Sequence, residues 1–495
     1  MMRLPTYFVV IIAALFFAIF VLNETVNAQA LANERPNILW IYVDDMSDWL
    51  GCNGDSLAQT PNIDRLASSG ILFKNAFMPS PVCSTTRSAL ITGTMQTTLG
   101  LHQHRTMIKQ PLPEDVMTIP ELFREAGYIT FNEAKDDYNF SRPREKMYSP
   151  EFERPGFKSH LPASDLTWLA QLRDQRFFGQ IQLAGGKLGG ETGSKFPSPS
   201  RVLEEDVTVP PQYPDNQVFR NAIARHYEQI AYTDEQVGTI IEALKKYELW
   251  ESTIVLFFTD HGSPLPRSKQ FLYEEGTKVP LIVRIPERFA LASSQPAVRM
   301  DLVSGIDIST TTLALAGIGI PKFMEGHDLF SSSQLPRQFV ISARDRCGIA
   351  VDRIRSVRTD RFRYIANELN DRPLYQSQYR DRFSTIVNLR TLFESGEITP
   401  LQASYHEAAN RPAEELYDVI ADPDQIHDLA ADPDYRTILE THRSFLRDWR
   451  ESSEDQGLIP ESRASLQLVY DHARGRCPAP EFDIFRKEDS HSTRD

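Results

Sequence analysis

Cysteine is scarce in this chain: Cys52, Cys83, Cys347 and Cys477 are the four among 495 residues. So few in a chain of this size exclude a disulfide-built scaffold, and if one is chemically modified at most one intramolecular disulfide remains. Positive charge is also short. Lys and Arg number 53 against 67 Asp and Glu, a formal charge of −14. That balance argues against non-specific binding to nucleic acid or to an anionic membrane. An anionic substrate would need positive charge gathered locally. Long apolar runs are missing after the N-terminus, so no later segment is apolar enough to span a bilayer. No internal repeat is visible.

The N-terminus itself reads as an export signal. Arg3 supplies a basic start, "YFVVIIAALFFAIFVL" (7–22) an apolar core, and Ala28 and Ala30 an A-x-A site. Cleavage after Ala30 is expected, with residues 1–30 a signal peptide and the product secreted or periplasmic, without stable membrane insertion after cleavage. A retained anchor is the alternative. The rest, long enough for two or three domains, has the composition of a globular protein, 41% hydrophobic and 24% charged overall.

"NILWIYV" (37–43) is an almost unbroken apolar run, as in a strand buried on both faces, and it ends in Asp44 and Asp45. "STIVLFF" (252–258) is a second such strand and runs into Asp260 and His261. "FFGQIQL" and "PLIVRI" read as two more, and residues 216–247 carry a helical apolar stripe through Phe219, Ile223, Ile230, Val237, Ile240 and Leu244. Strands alternating with helices predict an α/β fold, a large and mainly parallel sheet sandwiched by helices. Residues 188–215, rich in Gly, Ser and Pro, read as a long surface loop. From about residue 336 the pattern changes to short strands with frequent Arg and a final amphipathic helix. This predicts a domain over 31–335 and a smaller C-terminal α+β domain with an antiparallel sheet over 336–495. Arg353, Arg355, Arg358, Arg361 and Arg363 are expected on a solvated strand face, with contact to a polyanion as the alternative.

Two strands thus deliver carboxylates to the sheet edge where such folds bind ligands. Asp44, Asp45 and Asp260 offer oxygen ligands to a hard divalent cation, Ca²⁺ or alternatively Mg²⁺. Taken alone, an Asp pair after a strand is more commonly explained by capping or a turn.

"CSTTRSALITG" (83–93) changes the balance, because it resembles the sulfatase signature C-x-[PA]-[ST]-R-x-x-L-x-T-G. "RPNILWIYVDDM", "TPNIDRLASSGILFKNAF", "TDHG" and "ELYDVIADPDQIHDLA" follow the order of that family's other segments, across nearly the whole mature chain. The resemblance makes 31–335 the catalytic domain. It implies that Cys83 is oxidised to Cα-formylglycine by a formylglycine-generating enzyme. It further implies that one hydroxyl of the hydrated aldehyde attacks the sulfur of a sulfate ester, whose ester oxygen leaves as the alcohol, and that the second hydroxyl then loses its proton and expels sulfate, restoring the aldehyde; a serine would be left carrying the sulfate. Arg87, one helical turn beyond Cys83, would hold the diol and its carboxylate neighbours. Lys135 and Lys269 take the places of the sulfate-binding basic residues, and Asp44, Asp45, Asp260 and His261 those of the metal ligands.

The chain departs from the family pattern at several positions. Thr85 stands where Pro or Ala is usual, and His261 where Asn is usual. Asp137 and Lys187 replace two histidines that serve sulfate binding and leaving-group protonation. Lys187, Asp137 and His102 (or its neighbour His104) are therefore the candidates for substrate contacts. "GLHQH", "VPPQYPD" and "SPLPRSKQFLY" resemble the heparan N-sulfatase (sulfamidase) branch. This implies hydrolysis of sulfate esters or N-sulfate groups on sulfated saccharides. The alternatives are a phosphate or phosphonate ester hydrolase of the same superfamily, or a catalytically silent protein that binds sulfated glycans.

Overall fold

The computed structural model describes residues 35–152, 154–155, 163–188, 201–291 and 293–492. The expected signal peptide and part of the 188–215 loop lie outside them. Among the described residues no helix is long and apolar enough to cross a membrane.

An eight-stranded sheet forms the centre. In chain order its strands are β1 (Asn37–Val43), β2 (Ile71–Phe77), β3 (Ile129–Ala134), β4 (Arg154–Pro155), β5 (Phe177–Leu183), β6 (Thr253–Thr259), β7 (Lys278–Arg284) and β8 (Val298–Ser304). Across the sheet they lie β8-β2-β7-β6-β1-β5-β3-β4. Every pairing is parallel except those of β7, which runs against both β2 and β6. All seven residues of β1 are buried. Ile38, Trp40 and Tyr42 enter the core on one face, and Leu39, Ile41 and Val43 the core on the other, so the unbroken apolar run follows from helices covering both sides.

Four helices matter for the site: α1 (Pro61–Ser68), α2 (Cys83–Thr92), α3 (Gln217–Lys246) and α4 (Gly305–Leu315). The Asn216 side chain accepts from the backbone N–H groups of Val218 and Phe219 and so starts α3, while Lys245 and Lys246 sit favourably at its C-terminal end. Helix α2 is buried at all ten positions and stops at Gly93, whose φ of 67° is left-handed. A Cβ there would lie 2.1 Å from the Met324 side chain.

A second, antiparallel sheet joins β9 (Val340–Arg344), β10 (Ile354–Arg358), β11 (Phe362–Asn367) and β12 (Glu414–Asp418) in that order. Helices α5 (Arg436–Ser453) and α6 (Arg463–His472) follow. The expectation of a solvated arginine face holds for Arg361, which is exposed, and in part for Arg353, but fails for the other three. Arg355 and Arg363 are both 0% exposed and Arg358 is buried too. Arg355 clamps Asp455 at 2.7 and 2.9 Å, and Arg358 and Arg363 meet Glu274 at 2.8 and 2.7 Å. Glu274 lies in the segment between β6 and β7, so these pairs tie the second sheet to the first. Charges so placed need such partners, because burying one alone is prohibitive.

Candidate active site

The parallel direction of β1, β3, β5 and β6 brings their C-terminal ends to one edge. Asp44 and Asp45 follow β1, Lys135 follows β3, Lys187 follows β5, and Asp260 and His261 follow β6. Backbone hydrogen bonds lock these ends together: Asp260 N–H donates to Val43 O at 2.9 Å, and Asp44 N–H to Leu183 O at 3.0 Å. Helix α2 points its first residue, Cys83, at the same place.

One potential ligand atom from each of Asp44, Asp45, Cys83, Asp260 and His261 lies within 4.8 Å of every other. Around Cys83 Sγ stand His261 Nε2 at 3.2 Å, Lys187 Nζ and Lys269 Nζ at 3.4 Å, and Asp44 Oδ1 at 3.5 Å. Lys135 donates to Asp44 at 2.8 Å and Lys269 to both oxygens of Asp45 at 2.6 and 2.7 Å. Lys187 also bonds Asp44. Arg87 donates to Asp260 at 3.2 Å and to Gln182 at 2.7 Å, and its guanidinium lies 4.3 Å from the centroid of the Tyr42 ring.

The electrostatics follow from this packing. Burial pushes the Asp44 and Asp45 carboxyls up, but the lysines beside them outweigh it and hold both well below the ordinary range. Burial likewise raises the Cys83 thiol, and Lys135, Lys187 and Lys269 bring it well below its usual value. The position therefore favours negative charge. Asp260 differs: burial and the neighbouring Asp44 push it up to about 7. His261 loses basicity to burial and regains more from Asp260 and Cys83, reaching about 9. Burial, with the Asp44 carboxylate close by, is thus what keeps a proton on Asp260, and a bound cation would release it. His261 Nδ1 donates to Gly262 O at 3.0 Å, which turns Nε2 toward the carboxylates, as in a histidine oriented for metal ligation. Three carboxylates and one imidazole fit a divalent cation.

Backbone strain marks the same region. Among the described residues, Asp45, Arg105, Ala134, Asp137 and Gln270 have positive φ of 52°, 50°, 92°, 53° and 82° without being glycine, and such conformations persist where surrounding structure enforces them. Gly185 and Gly186 let the β5 loop close on Asp44 and Asp45; a Cβ at Gly186 would lie 2.0 Å from Asp45 O. This close approach carries Lys187 into the site.

The sequence profile of the family described as "Sulfatase" matches residues 36–318. The chain belongs to the sulfatase family. A second profile, "N-sulphoglucosamine sulphohydrolase, C-terminal", matches residues 267–378 of this sulfatase. It is 29% identical over 472 residues to an ulvan-active sulfatase of Formosa agariphila, covering 88% of this chain and 78% of that one. It is 27% identical over 476 residues to human N-sulphoglucosamine sulphohydrolase, covering 86% of this chain and 92% of that one. The solved structure of a 2-O GAG sulfatase superposes with a TM-score of 0.63 at 21% identity, over 86% of this chain and 94% of that one.

The sulfatase thus brings together Asp44, Asp45, Cys83, Arg87, Lys135, Lys187, Asp260, His261 and Lys269. Asp137 sits at the margin. It is clamped by Arg105 at 2.9 and 3.0 Å and lies 3.4 Å from Lys135. Burial raises this carboxyl, but Lys135 and Arg105 hold it far below the ordinary range, so it carries no proton to donate. His102 is not in the cluster. Burial lowers its pKa, and the charges acting on it are Asp345, Arg355, Asp455 and Glu461, beside the second sheet. Gln182 and Tyr42, which hold Arg87, were missed; two glutamines in a strand buried on both faces were the available signal for the first. All four cysteines are free thiols.

Proposed function

We propose that this sulfatase removes sulfate groups, O- or N-linked, from sulfated saccharides. The observation that carries the reading is the cationic and carboxylate shell converging on the buried Cys83 Sγ of a family-matched signature helix. Oxidised to formylglycine and hydrated, residue 83 would supply a hydroxyl nucleophile and a route to expel sulfate. Asp44, Asp45, Asp260 and His261 would hold a divalent cation, Ca²⁺ or Mg²⁺, which when bound polarises the sulfate oxygens and acidifies the attacking hydroxyl.

The chain's own residues supply the rest. Lys187 and Lys269, on either side of position 83, hold the sulfate oxygens and stay protonated through their carboxylate partners. Lys135 faces Asp44 and completes the anion site. Arg87 fixes Asp260 while stacked on Tyr42, so the ligand set is pre-organised before substrate arrives. The N-terminus of α2 directs its dipole at the same anion. Lys187, with its side chain 32% exposed, is the group at the centre that can reach a leaving oxygen from the solvent side.

Relatives named for ulvan, iduronate 2-sulfate and N-sulphoglucosamine support a glycan substrate. An exported enzyme meeting extracellular polysaccharide fits the N-terminal signal. The test is release of sulfate, followed by ion chromatography, from sulfated mono- and disaccharides and from matched phosphate esters. Sulfate release that depends on an added divalent cation is expected. Faster turnover of the phosphate esters would overturn the reading.

A further inference from the structure

A cavity of about 820 Å³ opens beside the centre, between the segment after α2 and helix α6. Its inner neck is Arg105, whose backbone N–H donates to Ser84 Oγ in the first turn of α2 at 2.9 Å and whose side chain clamps Asp137. Tyr379 forms one wall, stacked on His104 with centroids 5.6 Å apart. The outer wall carries Arg382 and, from the turn after α6, Arg476. The volume is in the upper part of the range for small-molecule sites, roughly 300–1,000 Å³, and leaves room beyond one sugar ring.

The charge of this cavity is unlike that of the chain. Four arginines line it against a single acid, Asp381, in a protein of net charge −14. Arg346 is neutralised by Glu461 at 2.5 and 3.0 Å, and Asp381 is engaged by Arg390 at 2.7 Å. Arg476 has no carboxylate partner among the described residues; its Nε donates to Ala473 O at 3.3 Å, and its side chain is exposed. A guanidinium so placed presents a fork for a carboxylate or a sulfate.

We propose that this cavity is a second saccharide subsite, in which Arg476 holds an anionic group on the sugar adjoining the one that carries the scissile sulfate, while Tyr379 offers its ring face to that sugar. The scissile group's identity rests on the sulfatase reading above. The anionic group is a carboxylate or a sulfate, and the test separates them.

Three disaccharides serve as probes, sharing a sulfated glucosamine and differing in its neighbour: glucuronate, neutral glucose, or sulfated glucose. Their binding to the full chain and to Arg476→Gln is measured by titration calorimetry, and their desulfation is compared with that of 4-nitrophenyl sulfate. Wild type should bind at least one anionic-neighbour probe about tenfold more tightly than the neutral one, with the contrast fading at high salt. Whichever probe shows it, glucuronate or sulfated glucose, identifies the group. Arg476→Gln should abolish the contrast and lower the ratio of disaccharide to aryl sulfate kcat/KM. Equal affinity for all three probes, or a contrast that survives Arg476→Gln, would overturn the subsite even if sulfate is released. Binding contrast without any sulfate release would leave the subsite standing and overturn the catalytic reading instead.

Discussion

Replacing Arg87 tests how the ligand set is held. Arg87→Met keeps the unbranched stem of the side chain and removes its charge and its fork. The fully buried guanidinium bonds Asp260 at 3.2 Å and Gln182 at 2.7 Å and stacks on Tyr42. Removing one member of a buried ion pair costs up to about 3–5 kcal/mol when the other stays charged, and that range already contains the lost hydrogen bonds; because Asp260 can take up a proton instead, the metal-free variant should lose stability to urea by no more than this margin. Part of the loss should return when a divalent cation binds, because the cation's charge then replaces that of Arg87 beside Asp260. The variant also changes a protonation equilibrium. Asp260 stands at about 7 with Arg87 pulling it down, so without Arg87 it rises further. A protonated Asp260 must release its proton before it can ligate. Cation affinity at pH 7 should therefore fall about fivefold for the first unit of rise and about tenfold for each further unit, and recover as pH increases. Titration calorimetry with Ca²⁺ and Mg²⁺ from pH 6 to 9 reads this directly, with Arg87→Lys, which keeps charge but not the fork, expected in between. Unchanged affinity and pH profile in Arg87→Met would refute the assignment of Asp260 as a ligand positioned by Arg87.

Other predictions reach the supports of the same loops. His226 accepts the Ser47 backbone N–H at Nε2, and burial lowers it to about 4. An unfolded histidine near 6.5 takes up its proton first, so stability is complete above that pH and about 3 kcal/mol of it is lost as pH falls from 6.5 to 4. Urea midpoints of wild type minus His226→Gln should show that slope, and a flat difference would contradict it. Gly186→Ala places a methyl 2.0 Å from Asp45 O; overpacking of about 1–3 kcal/mol should displace the Asp45 loop, lowering kcat more than circular dichroism changes. Lys269→Met should lower kcat by about 10²–10³, and a loss of less than threefold would remove Lys269 from the anion site.

The strand ends and their carboxylates were legible because β1 and β6 are buried on both faces and must stop where polar residues begin. The signature around Cys83 and the lysines came from segment resemblance, which encodes place in the fold. The antiparallel course of β7 was not legible, since a run apolar on both faces carries no direction. The arginines of β10 and β11 misled in a physical way. Alternation with acidic residues resembles a solvated face, and only long-range partners such as Glu274 and Asp455 make burial affordable. His102 misled differently: it is near Cys83 in sequence, but the turn after α2 carries it to the second sheet. The role of Gly185 and Gly186 needed the close approach of two strand-end loops, which no local pattern reports.

The central claim is that residue 83 is a precursor and not a thiol at work. Mass spectrometry of the tryptic peptide 75–87, from protein made with its own maturation machinery, tests it most directly. The account predicts the mass of formylglycine at position 83. An unmodified cysteine in protein that still releases sulfate would contradict it.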